Sequence, residues 1–148
     1  ASGSRGMAGG QAIDLASVGL RLAIGALEFM HIHKTGALIR AAALLGAHCG
    51  EAPPEALERL GHYANRIGLL FQVVDDILDA EADTATLGKT AGKDADHDKP
   101  TYVSLLGRAE AKRLAGAMLD DACQTLRPLG ARALRLEQLA DYVVHRTF

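Results

Sequence analysis

Seven apolar residues, Leu57, Leu60, Ala64, Ile67, Phe71, Val74 and Leu78, follow one another at alternating steps of three and four. That rhythm lays them along one face of an amphipathic α-helix. A face of that length must be covered by other elements, and the rest of the chain offers only helices to cover it. No run of four or more residues shows convincing strand alternation, and aromatic residues make up only 4%. The expected class is all-α. With 148 residues, 49% hydrophobic and 23% charged, the chain has the length and composition of one ordinary domain with a sizeable core. No internal boundary or repeat is visible, so residues 1–148 read as one unit.

Breaks in the helical pattern set the expected order of elements. Residues 11–15 read as the tail of a helix and 16–19 (ASVG) as a break. A helix dense in small residues is expected from Leu27 to about His48. "CGEAPPEA" closes it, its prolines suiting a turn and the first turn of the next helix, which carries the apolar stripe. After Ala82 the pattern collapses into "DTATLGKTAGKDADHDKP", polar, glycine-containing and closed by proline, which predicts a long loop. A short helix near "TYVSLLG", one from about Ala109 to Leu126 and a last from about Ala131 to Val144 are expected to follow.

The strong helix carries an anomaly, for "FQVVDDILD" (71–79) sets three aspartates into it. Burying carboxylates is costly unless a cation or donor offsets it, so this edge either meets water or holds a metal. At about 100° per residue, Gly68, Gln72, Asp75 and Asp79 form a second stripe beside the apolar one, with Asp76 flanking it. Mg²⁺ suits such an edge, because it takes hard oxygen ligands and needs only one or two carboxylates plus substrate phosphates. Alone, the aspartates read first as a solvated face. Their company favours the metal. The following loop carries Lys89, Lys93 and Lys99 with Gly88 and Gly92, and "HKTG" sets Lys34 and Thr35 in a nearly apolar helix. A lysine there is expensive unless it snorkels or meets an anion. Together these lysines point to a phosphate-bearing substrate.

"GGQAIDL", "HKTGALI", "FQVVDDILD", "DTATLGKTAGKD" and "DKPTYVSLLG", in this order and at these separations, resemble the C-terminal half of a trans-prenyl diphosphate synthase, with wording nearest the bacterial farnesyl diphosphate synthases. The resemblance runs over nearly the whole chain, although the last forty residues are generic helix. It implies the isoprenoid-synthase-type helical bundle around a deep cavity, here its C-terminal half, and a homodimer. It also implies the reaction: with Mg²⁺, an allylic diphosphate (dimethylallyl or geranyl) is ionised and its carbocation alkylates isopentenyl diphosphate, giving farnesyl diphosphate. Carried over residue by residue, the resemblance makes Asp75 the foremost Mg²⁺ ligand, with Asp76 and Asp79 acting directly or through metal-bound water. Lys34, Thr35 and Gln72 fall at catalytic positions that contact the allylic diphosphate or flank the developing cation. Lys89 and Lys99 match the basic residues that grip that diphosphate, residues 83–99 match the closing loop, and Gln11 and Asp14 match the wall of the pocket.

What the chain lacks carries an expectation of its own. The family's first aspartate-rich motif, its paired arginines and its isopentenyl diphosphate segment belong to the N-terminal half, and nothing in these residues corresponds to them. The chain does not begin with Met, and it is expected to be part of a larger enzyme, inactive alone and exposing apolar helix faces. Two other readings stay open: a non-catalytic partner subunit of the same shape, and a helical interaction module that binds no diphosphate. Product length is not legible.

Remaining features are bland. A net charge of -2 gives no pull toward nucleic acid, and no apolar run suggests a membrane span or a signal segment. Cys49 and Cys123 read as free thiols, consistent with a reducing cytoplasm. His31 and His33 point apart on a helix and read as packing or surface residues, and His97 as solvated. "EAKR" and "RLEQ" read as solvated helical surface.

Overall fold

The computed structural model describes residues 1–86 and 99–146, residues 83–86 through their backbone alone. Its axis is the stripe-bearing helix, α4 (Pro54–Thr86), 33 residues long. Proline suits its first turn, where the missing N–H has no partner to lose, and Glu55 favours the positive end of the helix dipole. The stripe is buried or partly buried along its centre, but Tyr63, Leu70, Val73 and Ile77, which lie off the stripe, are buried too. A single apolar face is therefore too narrow a description. Gly61 and Gly68 turn toward the preceding helices, and the Tyr63 hydroxyl donates at 2.7 Å to the carbonyl of Leu136 near the C-terminus. The helix also runs four residues past Ala82, where the loop was expected to begin. Nothing from Asp83 to Thr86 breaks a helix, since glycine first appears at Gly88.

Before α4 come α1 (Met7–Ala16), α2 (Ile24–His31) and α3 (Ala37–Cys49). The helix expected from Leu27 to His48 begins earlier, at Ile24, and is interrupted by a π-turn, Ile32–Gly36. The π-turn lies between α1 and α4 and packs on both. After α4 come α5 (Tyr102–Leu106), α6 (Arg108–Leu126) and α7 (Leu134–His145). Thr101 and Ser104 close a capping box at the start of α5, each side chain accepting from the other's backbone N–H at 2.9–3.0 Å. Ala111, Ala115, Met118, Ala122 and Leu126 form the buried stripe of α6, and its small residues let α6 lie close along α4. The last helix starts at Leu134 and not Ala131, because Gly130 at φ +61° breaks a 3-10 segment, Arg127–Ala133.

Among the described residues there is no strand, and no helix is long and apolar enough to cross a membrane. Leu27, Met30, Leu70, Val73, Tyr102 and Leu126 are wholly buried at the centre. In contrast Leu15, Leu20, Phe29 and Leu45, all in or between α1, α2 and α3, are more than half exposed. Cys49 is exposed, Cys123 is partly buried, and both are free thiols.

Candidate active site

The π-turn organises one side of the candidate site. Its wider helical turn swings successive side chains through a smaller angle than an α-helix does, so neighbours can serve one region. It is held by glycines on both flanks: a Cβ on Gly10 of α1 would lie 2.1 Å from the Lys34 nitrogen, and one on Gly68 of α4 would lie 2.8 Å from the Gly36 Cα. Only backbone against backbone fits there. From this seat Lys34 donates to Asp14 of α1 at 2.7 Å, and Thr35 donates to the Gln72 Oε1 of α4 at 2.6 Å.

Asp14 is buried, with its side chain 8% exposed, and Lys99 also stands 3.9 Å from the same carboxylate oxygen. Two lysines thus flank one buried anion, which answers the question of how Lys34 sits in an apolar helix. Gln11 lies one turn before Asp14 on α1 and is partly buried. Gln72 continues the second thread, its Nε2 reaching Asp75 Oδ2 at 3.4 Å. The other Asp75 oxygen accepts from Arg146 Nη2 at 2.5 Å. The predicted residues Lys34, Asp14, Lys99, Thr35, Gln72 and Asp75 are brought together in this way. Lys89, Lys93 and His97 lie outside the described residues.

The other aspartates part company. Asp76 accepts from the backbone N–H of Tyr102 at 2.7 Å, anchoring α5 on α4. Burial pushes its carboxyl up to about 7 against that hydrogen bond, with Asp75 and Asp79 adding repulsion. Asp79, one turn beyond Asp75, is exposed. No three His, Cys, Asp or Glu side chains converge as a ready metal cage among the described residues. The donor set nonetheless fits Mg²⁺: hard carboxylate oxygens of Asp75 and Asp79 lie one turn apart on an accessible edge, and Mg²⁺ completes its shell with water and phosphate oxygens.

Three residues were missed as site neighbours. His31 is buried and stacks on Tyr102 with ring centroids 5.7 Å apart, and neither ring nitrogen has a hydrogen-bond partner among the described residues. Burial, with Lys34 adding to it, pushes its imidazole down to about 4, so it is neutral. The Tyr102 hydroxyl is likewise buried, without a hydrogen-bond partner among the described residues. Arg146 is the third, and no spacing along the chain points from it to Asp75, which lies 71 residues away. His33 fits its expected packing role, its ring against Phe29 at 4.2 Å and Nδ1 on the Phe29 carbonyl at 2.7 Å.

The architecture and the acid edge together define a class: an all-α chain whose long central helix carries adjoining carboxylates, flanked by lysines from a π-turn and from the segment before α5. Solved structures share the fold. An FPP/GFPP synthase from Zymomonas mobilis superposes with a TM-score of 0.82 at 36% identity, covering 97% of this chain and 47% of that one. A geranyltransferase from Helicobacter pylori, complexed with magnesium and isoprenyl diphosphate, gives a TM-score of 0.74 at 29% identity, covering 96% of this chain and 48% of that one. Residues 2–128 match the polyprenyl synthetase family, and the chain belongs to it. It is 51% identical to farnesyl diphosphate synthase of Escherichia coli (strain K12) over 99% of this chain and 50% of that protein. It is 45% identical to dimethylallyltranstransferase of Fischerella ambigua (strain UTEX 1903) over 99% of this chain and 43% of that protein. The chain thus spans about half the length of these relatives or less.

Proposed function

We propose that this chain supplies the diphosphate-ionising side of a prenyl diphosphate synthase that joins an allylic diphosphate to isopentenyl diphosphate, with farnesyl diphosphate as the product. The observation that carries the reading is a pair of threads starting from adjacent residues of the π-turn, Lys34 to Asp14 with Lys99 beside it, and Thr35–Gln72–Asp75, the second ending on the acid edge of α4. Relatives named farnesyl diphosphate synthase and dimethylallyltranstransferase support it.

In the proposed reaction the allylic carbon–oxygen bond breaks with its electron pair left on the diphosphate, and the cation is attacked by the isopentenyl double bond, whose pair forms the new carbon–carbon bond. A proton then leaves the resulting cation. Mg²⁺, held by Asp75 and Asp79 with Asp76 beside them, would supply positive charge against the growing charge of the leaving diphosphate. Lys34, Lys89 and Lys99 would bind and orient the same diphosphate, placed beforehand so that no reorganisation is needed as the bond breaks. Thr35 and Gln72 would set the polar wall near the nascent cation, and Gln11 and Asp14 the floor beneath Lys34. The expected closing loop, 83–99, begins within the last turn of α4 and for the most part lies outside the described residues; excluding water from the site is the role proposed for it. The active form is proposed as a cytoplasmic homodimer of the longer protein, and the 148-residue chain alone as inactive, since the resemblance places the first aspartate-rich motif in the other half.

The test is titration calorimetry of inorganic pyrophosphate into the full-length protein, with and without Mg²⁺, on wild type and Asp75→Ala. Binding that requires Mg²⁺ and falls at least about ten-fold in Asp75→Ala is expected. Equal binding by both proteins would sink the reading.

A further inference from the structure

Resting on the Mg²⁺-diphosphate reading above, we infer that Arg146, from the residue that follows α7, is a positioning residue that holds Asp75 ready for the metal. Its side chain is one-tenth exposed, although it comes from the end of the described chain. Its Nη2 donates to Asp75 Oδ1 at 2.5 Å and to the Phe71 carbonyl at 3.3 Å, and its centre lies 3.9 Å above the Phe71 ring. Two of these three contacts do not involve Asp75. The cation is therefore seated on the first turn of the acid segment by Phe71, and Asp75 comes to it.

The consequence lies in the carboxylate. One oxygen is engaged by Arg146, and the other faces Gln72 at a long 3.4 Å while the side chain remains 43% exposed. Arg146 thereby removes the rotamer freedom of Asp75 and leaves its second oxygen facing the site. Groups that hold a metal ligand in this way typically contribute 10-fold to 100-fold to metal affinity. Arginine suits the task where lysine does not, because a flat, weakly hydrated cation can stack on a ring and bond at its edge at once.

An opposite outcome is equally concrete. Were Arg146 a competitor for the carboxylate, removing it would tighten the metal. The experiment uses the full-length protein and reads Mg²⁺-dependent pyrophosphate binding by calorimetry beside the Mg²⁺ concentration for half-maximal prenyl transfer. Arg146→Gln is expected to raise both constants about ten-fold, with the KM for isopentenyl diphosphate within two-fold of wild type. Arg146→Lys should fall between them, and Phe71→Leu, which removes the ring but leaves the charge, should weaken binding a few-fold. Arg135→Gln, an exposed arginine at the start of α7, should change neither constant. Mg²⁺ binding in Arg146→Gln as tight as wild type, or tighter, overturns the inference. Should Arg146→Gln not fold, wild-type binding in both Arg146→Lys and Phe71→Leu overturns it equally. Asp75→Ala separates the two claims: loss of Mg²⁺-dependent binding there with none in Arg146→Gln refutes only the role of Arg146, whereas no loss in Asp75→Ala removes the underlying reading as well.

Discussion

His31 sets burial against bonding more plainly than any other side chain here. Its imidazole is 6% exposed with neither nitrogen hydrogen-bonded among the described residues, and it stays neutral because burial, with Lys34 adding to it, opposes a proton more than Asp14, Gln72 and Asp75 favour one. In the unfolded chain the ring titrates near 6.5, whereas in the fold it is held down to about 4. As pH falls through that window the unfolded state takes up a proton that the folded state refuses, so stability present above 6.5 is progressively lost toward 4. His31→Phe keeps an aromatic ring against Tyr102 and cannot protonate. Between pH 7 and 5 the wild-type full-length protein should lose about 2 kcal/mol more than His31→Phe in urea unfolding. Parallel pH profiles would contradict the assignment. Lys34 shows how far single residues were legible. Its cost in an apolar helix is plain from "HKTG", and an anion is one expected remedy; that Asp14 supplies it is not legible, because partners 20 residues apart share no local period and the resemblance places Asp14 only in the wall of the pocket.

The π-turn is the element on which the site turns. Gly68→Ala and Gly10→Ala would each force a methyl into backbone, at 2.8 Å and 2.1 Å, and neither neighbour is a flexible side-chain end that could move away. Gly116 is an exposed glycine within α6 where an added Cβ meets nothing within 4 Å. Gly68→Ala should therefore lower the thermal midpoint of the full-length protein by many degrees, and Gly116→Ala should raise it by stabilising the helix about 0.5–1 kcal/mol. Shifts of the same sign in both would refute the packing argument. Elements were readable wherever local period sufficed: α4 from its stripe, α6 from Arg108–Leu126 almost to the residue, α5 from "TYVSLLG". The π-turn was not, since nothing local distinguishes "IHKTG" from helix and its seat depends on two other elements, through the glycines at 10 and 68 and the partners Asp14 and Gln72. The start of α7 was misplaced for a related reason, a positive φ at Gly130 that a continuous apolar pattern conceals.

For the molecule as a whole, the question is what covers α1 to α3. Leu15, Leu20, Phe29 and Leu45 are exposed by 64%, 56%, 54% and 65%, on a chain about half as long as its relatives. The isolated chain should bind a hydrophobic dye and sediment heavier than a monomer, and Leu15→Lys with Leu45→Lys should reduce both effects. A dye-silent monomer would mean that these faces are satisfied some other way. That surplus of apolar surface was expected from the missing half, whereas the link from the far end of the chain to the site through Arg146 and Phe71 was not, because it depends on the tertiary path of α7. The tie between Asp76 and the Tyr102 N–H has a consequence for saturation mutagenesis. Since the donor belongs to the main chain, nineteen of the twenty residue types at 102 would keep it and report only on the ring. Proline, which the opening position of a helix tolerates, is the one letter whose phenotype speaks for the bond itself.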